Sequence, residues 1–590
     1  MQPKRYIKLI LPLRLEWEPC YYLSGDAGVG QRAIVRFAGR RVVGVVSETD
    51  VTPDIDPSRI QPVLSTETGL EPISPQEIEL WRFMADYYLC TIGEVYKAAY
   101  PNQKTASEEI GAQRLQRKHA LESRAEDIWR ARIARLQARL DAKNADLERR
   151  HNDTVRARLE AQRNDILQEL QEAENRLAAL SHSLQIENDD YSALLAKVPD
   201  LKPEPAFREA LKTGKPVLLK SSDRNSDYIK ASSITVRSGK NVCILVNETA
   251  LAGQLFDSLR ASFGELLLVH HSKMTASARR RITDAIRSGR PYVVVGTRSA
   301  IFLPHRDLGL IIVENEESAF YKQSDTAPRY NARDCAVQLA RIHGSRIILG
   351  SVSPSLESIL NAHSGRYVLF DRNPDGQEIQ PGCQFSLIDI PAERKKNGMD
   401  GPFSRKLQDA MRRSQNTALI RGYEKPEELE GIDADILTIP QAAKTDLGGY
   451  DLTAILNADA LFNPSDFRSD EHAFQYLERL RSICPRLIVQ TRQSGHQVFG
   501  LKSAEPLLEE RSRFSLPPYT RMVEMRTQKA SELGQALSAA GFSPMTMPDS
   551  VRVCIARDKR LSEEKNKLRK TVEAFRSSSK ADVVIDVDPV

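Results

Sequence analysis

The sequence predicts an α/β protein: two domains with parallel sheets, a β-rich N-terminal domain, a helical insert and a small α+β C-terminal domain. Short apolar runs alternate with helix-like segments over residues 205–372 and again over 405–500, which predicts the parallel sheets. Residues 105–195 contain no proline and are rich in Ala, Arg, Glu and Leu, as long helices are. The expected domains are 1–104, 105–195, 205–372, 405–500 and 505–590.

Length and composition exclude several classes of protein. The chain has 590 residues, of which 41% are apolar, enough for several packed cores. Its apolar runs are too short to cross a bilayer, and no signal peptide precedes Glu16. The seven cysteines lie far apart, so neither a C-x-x-C metal site nor a disulfide framework is predicted. The net charge of +5 permits nucleic-acid binding without requiring it, and we expect a cytoplasmic protein.

The N-terminal domain is expected to be a sheet followed by a helix. Apolar residues run or alternate in Ala33–Phe37 and Val42–Ser47, which predicts two strands, and Gly39-Arg40-Arg41 is the predicted hairpin turn between them. Apolar side chains then recur near helical spacing in Pro75–Tyr88.

The insert carries the apolar pattern of a coiled coil. Its seam, spaced by sevens, fours and threes, consists of Leu159, Ile166, Leu170, Ala173, Leu177, Leu180 and Leu184. Residues 149–154 break the pattern midway and supply Asn, Asp and Thr, which favour helix ends. Two arrangements stay open: an antiparallel hairpin within one chain, which the break favours, and a long rod that pairs with a second chain.

The first parallel sheet contains the candidate phosphate site. Its predicted strands are Pro216–Leu219, Val242–Val246, Leu266–His270, Tyr292–Val295, Gly309–Val313 and Ile347–Leu349. A phosphate-binding loop needs glycines, a lysine that reaches the β- and γ-phosphates, and Ser or Thr for Mg²⁺. The segment after the first strand has no glycine, and its two aspartates would repel a triphosphate. This degenerate loop consists of Lys220, Ser221, Ser222, Asp223, Arg224, Asn225, Ser226 and Asp227.

A second candidate site mixes aromatic and basic side chains, which suits single-stranded DNA because rings stack on bases while arginines bind phosphates. The predicted DNA-binding residues of this domain are Arg298, Ser299, Tyr321, Lys322, Arg329, Tyr330 and Arg333. The alternative is that Tyr321 and Tyr330 pack in the core and that Arg333 is a buried ion-pair partner.

The second parallel sheet is predicted from three apolar segments. They are Ala434–Ile439, Asp451–Leu456 and Leu487–Gln490. The C-terminal part after residue 505 is expected to be a separate small domain.

Segments in order along the chain resemble motifs of the primosomal protein N′ (PriA) family of replication-restart helicases. They include Gly296–Ala300, Tyr321-Lys322-Gln323, Pro328–Asp334, Gly350–Ser358 and Asp459–Glu471, and the stretch Asp86–Pro101 resembles the end of the family's N-terminal DNA-binding domain. The resemblance implies two RecA-like motor domains and a DNA-binding N-terminal domain, in which Tyr21, Arg40 and Arg41 are further candidate contacts.

The chain departs from the family pattern where ATP chemistry is expected. Glu314, Asn315, Glu316 and Glu317 stand where the family usually has D-E-E-H, and Asn315 cannot act as the base that polarises water. The family's G-R-x-G-R motif and its cysteine-rich zinc module have no counterpart in the sequence. Glu18-Pro19-Cys20-Tyr21 and Arg36-Phe37-Ala38 replace the T-F-x-Y and P-F-G segments that help to build the family's 3′-end pocket.

These observations predict a DNA-binding protein of replication restart that recognises forked or branched DNA, recruits primosome or helicase-loading proteins and hydrolyses no ATP. No cofactor is expected, neither zinc nor ATP-Mg²⁺, and no catalytic residue. Two alternatives stay open: an active ATP-dependent 3′-to-5′ helicase with unusual motifs, and an interaction scaffold that binds no DNA. ATP hydrolysis with and without forked DNA separates the first two functions, and a gel shift on the same fork separates the third.

Overall fold

A computed structural model describes residues 5–23, 25–67, 72–101, 131–145, 159, 162–163, 166–167, 169–170, 173, 190–247, 253–372, 383–443, 445 and 447–589. The chain divides into two compact units. The first contains Met1–Pro75 and Tyr100–Val198, and the second contains Gln76–Ala99 and Pro199–Val590. In the described part of the chain, no helix is long and apolar enough to cross a membrane.

The first unit contains a five-stranded antiparallel sheet in the order β2-β1-β4-β3-β5. Its strands are β1 (Arg5–Ile10), β2 (Cys20–Leu23), β3 (Arg32–Phe37), β4 (Arg40–Thr49) and β5 (Ser65–Thr66). Alternate apolar side chains of these strands, among them Ile7, Leu9, Val35 and Val46, form a buried core. The predicted β-rich N-terminal part is therefore confirmed.

The β3–β4 hairpin turns at Ala38 and Gly39, which have φ angles of 47° and 77°. A two-residue turn that matches strand twist requires positive φ at both central residues, and only glycine adopts it without steric cost. The predicted turn Gly39-Arg40-Arg41 is wrong, because Arg40 already pairs with Phe37 in the ladder. Alanine gives little turn signal, so the sequence placed the turn too late.

In the predicted insert, residues 131–145 form a helix, α3. Leu136 of this helix shares a buried cluster with Ile166 and Ala173, and Arg139 lies 3.7 Å from Glu169. The break at 149–154 and the seam residues Leu177, Leu180 and Leu184 lie outside the described residues. The coiled coil and its arrangement therefore stay a prediction.

The second unit contains a seven-stranded parallel sheet in the order β12-β6-β11-β10-β7-β9-β8. Its strands are β6 (Val217–Lys220), β7 (Asn241–Leu245), β8 (Leu267–His270), β9 (Val293–Gly296), β10 (Leu308–Glu314), β11 (Arg346–Ser351) and β12 (Val368–Asp371). The sequence predicted all of them except β12, a half-exposed edge strand with little apolar signal.

A second parallel sheet of five strands follows in the order β13-β19-β18-β16-β17. Its strands are β13 (Gln384–Asp389), β16 (Thr417–Arg421), β17 (Asp435–Thr438), β18 (Leu452–Ile455) and β19 (Arg486–Thr491), and a small ribbon joins β14 (Met399–Asp400) to β15 (Phe403–Ser404). The prediction missed β13 and the central strand β16.

The C-terminal part is an antiparallel sheet in the order β21-β22-β20-β23 with two helices. Its strands are β20 (Thr520–Arg526), β21 (Met545–Thr546), β22 (Ser550–Ala556) and β23 (Val584–Val587). Two parallel α/β sheets and a small α+β C-terminal part thus confirm the predicted fold class, apart from the insert.

Helices cover and connect these sheets. Their bounds are α1 (Pro75–Tyr87), α2 (Ile92–Ala99), α4 (Asp190–Lys197), α5 (Pro205–Lys212), α6 (Asn225–Arg237), α7 (Gln254–Phe263), α8 (Ala276–Arg287), α9 (Ala332–His343), α10 (Leu356–His363), α11 (Ile390–Lys396), α12 (Arg405–Met411), α13 (Ile439–Ala442), α14 (Ser469–Ile483), α15 (Glu505–Arg513), α16 (Ala530–Ala539) and α17 (Leu561–Ser579).

Candidate nucleotide and nucleic-acid site

Three strand ends meet at the edge of the first parallel sheet where a phosphate would bind. β6 ends at Lys220, which lies beside Ser351 at the end of β11. β11 also pairs with β10, where Glu314 lies beside Gly350. The carboxyl ends of parallel strands share one edge of the sheet, so the degenerate loop and the acidic segment come together there.

The side chain of Arg224 fills the centre of this edge and is 6% exposed. Its Nη2 donates to Oε1 of Glu314 at 2.5 Å, and its Nε donates to Oε2 at 3.0 Å. The guanidinium also donates to the carbonyl oxygen of Ser221 and to Oδ1 of Asn315. Tyr228 donates its hydroxyl proton to Glu314 Oε2 at 2.5 Å. Two-point arginine–carboxylate pairs are among the strongest hydrogen-bonded pairs in proteins.

Burial and neighbouring charges shift the pKa values of the two groups that bind Glu314. Burial lowers the pKa of Arg224, but Glu314, Tyr228 and Glu317 together outweigh burial, so this pKa lies above the ordinary value of arginine. Burial and then Glu314 raise the pKa of Tyr228 well above its ordinary value, so its hydroxyl stays a neutral donor. The carboxylate that ends β10 is thereby satisfied by protein groups instead of a metal ion.

Gly350 leaves the room that this arrangement needs. A Cβ atom at this position would lie 1.6 Å from the hydroxyl oxygen of Tyr228 and 3.0 Å from Cδ of Arg224. Contacts that short do not occur between packed atoms, so any larger residue would displace the tyrosine. The aromatic ring and the guanidinium thus pack directly against the backbone of β11.

Two further charges of the degenerate loop have protein partners. Arg372 donates to the two oxygens of Asp227 at 2.9 and 2.6 Å, and Nζ of Lys220 lies 3.0 Å from Asp371. The expectation that Asp227 repels a triphosphate is corrected, because Arg372 neutralises it; Asp223 is exposed and keeps that role. Of the remaining loop residues, Ser221 is buried, and Ser222, Asn225 and Ser226 are exposed or half-buried.

Glu316 and Glu317 have separate environments. Glu316 is buried; its carboxylate accepts from the backbone N–H and the hydroxyl of Ser355 at 2.7 and 2.9 Å and lies 3.1 Å from Arg333. Oε2 of Glu317 has no hydrogen-bond partner within the described ranges. Burial, reinforced by the charge of Glu316, raises the pKa of Glu317 to about 7.

Most of the predicted DNA-facing residues between 321 and 333 lie in the interior. Tyr321 is 1% exposed and donates to the carbonyl oxygen of Leu245 at 3.0 Å, and Tyr330 is 4% exposed. Nζ of Lys322, 5% exposed, lies 2.7 Å from Asp586. The alternative arrangement is therefore the one found, and direct DNA contact by these three side chains is corrected: their surfaces are packed.

Arg333 follows the same pattern. Its guanidinium lies 3.1 Å from Glu316 and 2.8 Å from Asp334, and it donates to the hydroxyl of Ser355 at 2.8 Å. It is a buried ion-pair partner, which again corrects the predicted DNA contact.

Arg298, Ser299 and Arg329 are half-buried and closer to solvent. Arg298 Nη1 donates to the carbonyl oxygen of Lys322 at 3.0 Å, and Arg329 donates to the carbonyl oxygens of Ser324 and Asp325. A guanidinium has five N–H donors, so Arg298 and Arg329 keep donors for a phosphate. These two positions stay predicted contacts.

In the first unit, Tyr21 is 4% exposed, and its hydroxyl donates to the carbonyl oxygen of Arg36 in β3 at 3.1 Å. This side chain therefore stabilises the β3–β4 hairpin from the core instead of facing a ligand. Arg40 and Arg41 are exposed on β4.

Arg468, which directly precedes α14, lies in the interior of the second unit. This arginine lies 2.8 Å from Glu357 of α10 and 3.4 Å from Glu471 of α14. Burial raises the pKa of Glu357, but Arg468 and Arg333 together outweigh burial, so this pKa lies well below its ordinary value. A cavity of about 550 Å³ is lined by Glu317, Arg333 and Arg468 among others.

The sequence-based prediction missed the roles of three residues of the site: Tyr228, which binds Glu314; Arg372, which binds Asp227; and Ser355, which binds Glu316. The presence of Arg224 in a loop that should contain glycine and lysine was the available signal for an internal ion pair. Arg372 follows the edge strand β12, which itself gave little signal. No group of His, Cys, Asp and Glu suited to a metal ion was found in the part of the chain that the structure describes.

Comparisons with known proteins match the N-terminal part of the chain to a DNA-binding domain and the chain to replication restart proteins. A family model for a 3′ DNA-binding domain matches residues 9–101. The replication restart protein PriA of Chlamydia pneumoniae is 38% identical over 176 residues, which cover 30% of this chain and 23% of that protein. PriA of Haemophilus influenzae is 26% identical over 423 residues, 68% of this chain and 57% of that protein. The chain thus spans less than two thirds of the curated relatives it matches.

Solved structures give a weaker likeness. RecG bound to a three-way DNA junction is 15% identical with a TM-score of 0.32, covering 55% of this chain and 46% of that chain. The DUF1998 helicase MrfA bound to DNA is 11% identical with a TM-score of 0.33, covering 52% and 51%.

Proposed function

We propose a function from the premise that this chain is a member of the PriA family of replication restart proteins. It binds DNA at forked or branched sites during replication restart and does so without hydrolysing ATP. Primosome or helicase-loading proteins are its proposed protein partners.

The observation that carries the ATP-independent part is the pair formed by Arg224 and Glu314. Nucleotide hydrolysis needs backbone N–H groups around the phosphates and a carboxylate directed at Mg²⁺. Here an arginine side chain takes the place of the loop, and the carboxylate binds that arginine and Tyr228. The residues present therefore do not fit ATP-Mg²⁺.

The DNA-binding part rests on other observations. Residues 9–101 match a 3′ DNA-binding domain, and exposed basic residues remain on that unit at Arg40 and Arg41. In the second unit, Arg298 and Arg329 keep free donors at the carboxyl edge of the first parallel sheet. Arginines suit backbone phosphates, because each presents several N–H groups to anionic oxygens.

Two measurements on the full chain test the proposal. Fluorescence anisotropy with a labelled fork, a duplex and a single strand should show tightest binding to the fork. Phosphate release with ATP-Mg²⁺ should stay at background with and without that fork. Fork-stimulated phosphate release would favour the active helicase instead, and absence of binding to all three DNAs would favour the scaffold.

A further inference from the structure

Among the described residues, the two strands at the tip of the β3–β4 hairpin pair only with each other. β5 pairs with β3 at Ala33 and Ile34 and no further, and β1 pairs with β4 from Val45 onward. Beyond these limits the ladder consists of Val35–Phe37 against Arg40–Val42. The hairpin therefore extends beyond the neighbouring strands of the sheet.

The two faces of this ribbon differ. Phe37 and Val42 are partly buried against the core of the unit, which holds the ribbon in place. The opposite face carries Arg36 and Arg41, which are direct cross-strand partners and are both exposed. Arg40, also exposed, pairs with Phe37 at the turn and therefore lies on the face of Phe37. The ribbon is thus anchored by Phe37 and Val42 on one face and carries the Arg36–Arg41 pair on the other.

The juxtaposition of Arg36 and Arg41 is unfavourable for the isolated protein. Directly opposed residues have Cβ atoms about 5 Å apart, and like charges at such positions destabilise a sheet. Neither arginine has an ion pair within the described residues, so no carboxylate compensates the repulsion. An anion between the two guanidinium groups would do so, since each guanidinium can donate two parallel hydrogen bonds to it.

We propose that Arg36 and Arg41 clamp one backbone phosphate of DNA, and that this contact needs no strand end. The proposal rests on the proposed DNA-binding function and specifies one contact within it. The ribbon face is open and exposed instead of enclosed, which suits a polyanion that continues past the clamp. A duplex and a single strand both offer that phosphate.

The double variant Arg36→Gln/Arg41→Gln tests the clamp in the full chain. The probes are a dumbbell duplex with both ends closed by loops and an oligo-dT strand, measured by fluorescence anisotropy over a series of salt concentrations. Affinity for at least one probe should fall several-fold, and the slope of log K against log salt should shrink by about 0.9 on duplex or about 0.7 on a single strand, as for one lost phosphate contact. The probe that loses affinity identifies the source of the phosphate.

A matched control is Arg405→Gln/Arg413→Gln, which removes two exposed charges in the second unit. Its affinity and salt slope should equal those of the unaltered chain. The clamp variant should also melt at the same or a slightly higher temperature, because the repulsion is gone, which separates lost binding from lost folding.

The clamp is disproved if the variant binds both probes with unchanged affinity and slope, or if the control loses as much. Failure of the unaltered chain to bind any DNA would instead disprove the proposed function. The pair Arg36→Lys/Arg41→Lys should keep the salt slope but lose affinity, because lysine retains the charge without the two-point geometry.

Discussion

Arg224 and Glu314 join the segment after β6 to the end of β10 through two hydrogen bonds, of 2.5 and 3.0 Å. The side chains are 6 and 12% exposed, so the pair is nearly cut off from water. In proteins that hydrolyse nucleotides, a phosphate loop and an acidic strand end cooperate in the reaction. In this chain an ion pair joins the two corresponding positions to each other.

Arg224→Ala should lower the free energy of unfolding by about 3–5 kcal/mol, because a buried carboxylate would lose its partner. Urea unfolding followed by circular dichroism measures this. Arg412→Ala is the control: Arg412 and its partner Asp409 are 76 and 60% exposed, so water replaces the contact and the loss should be about 1 kcal/mol or less.

A double-mutant cycle with Glu314→Gln completes the test. If the pair is the cause, Arg224→Ala should cost less in the Glu314→Gln background, because no charge is left unpaired. Equal costs in both backgrounds would show that packing of the arginine stem is responsible.

Nucleotide should leave the protein's melting temperature unchanged. Millimolar ATP-Mg²⁺ stabilises a protein that binds it, by about 2.7 kcal/mol at 100 times Kd. Arg224 occupies the place of a phosphate loop, and Asp223 adds an exposed negative charge. A thermal-shift series with ATP-Mg²⁺ should therefore be flat; a saturable rise would contradict the proposed loss of ATP chemistry.

Stability should fall with rising pH because of Glu317, whose pKa burial raises to about 7. The folded protein holds this proton more tightly than the unfolded chain. Stability is therefore full below the ordinary pKa of a glutamate, about 4.3, and is lost as pH rises from there towards 7. Glu317→Gln should remove this loss, on the order of 1 kcal/mol since the side chain is not wholly buried.

Urea unfolding at pH 5 and pH 8 measures the effect. Relative to the unaltered chain, the free energy of unfolding of Glu317→Gln should be higher at pH 8 than at pH 5. Glu427→Gln, an exposed carboxylate, is the control and should leave the pH dependence unchanged. The same result for both variants would mean that Glu317 ionises normally.

In the first parallel sheet, continuous apolar runs predicted the strands within about two residues at each end, as at β7 (Asn241–Leu245) and β10 (Leu308–Glu314), whereas the apolar run of β16 (Thr417–Arg421) in the second sheet was missed. The sequence-based prediction also missed β12 (Val368–Asp371), because an edge strand is only half-buried. It also placed the Ala38-Gly39 turn too late, since alanine at positive φ is unfavourable and gives no turn signal.

For the candidate site, the sequence-based prediction identified the segments that form it but assigned wrong partners to several side chains. Lys322 was taken for a DNA contact because a lysine among aromatics suits nucleic acid, yet it pairs with Asp586, far away in sequence. Arg224 was recognised as part of a loop without glycine but not as the partner of Glu314. Such pairings depend on tertiary contacts between distant segments, which local composition does not encode.

Arg298→Ala and Arg333→Ala should separate DNA contact from structural support. Arg298 is half-buried and makes one hydrogen bond, to a carbonyl oxygen, so its loss should weaken DNA binding several-fold with little change in melting temperature. Arg333 pairs with Glu316, whose side chain is fully buried, so its loss should cost about 3 kcal/mol or more of stability. Anisotropy titrations and urea unfolding of both variants give the comparison.

The salt dependence of DNA affinity distinguishes a lost phosphate contact from partial unfolding. Removing a phosphate contact lowers the slope of log K against log salt by about 0.9 on duplex DNA, whereas a variant that is only partly unfolded keeps its slope and loses active fraction. Arg298→Ala with an unchanged slope would disprove its predicted contact.

A variant at Leu136 can distinguish the hairpin from the rod in the insert. Leu136 is 3% exposed and shares a buried cluster with Ile166 and Ala173. If the seam closes within one chain, light scattering should give a monomer mass at all concentrations, and Leu136→Glu should lower helicity without changing the mass. If two chains pair as a rod, the unaltered protein should be a dimer that Leu136→Glu dissociates, because an unpaired charge in an apolar seam costs several kcal/mol. Gln137→Glu, on the exposed face of the same helix, should change neither quantity.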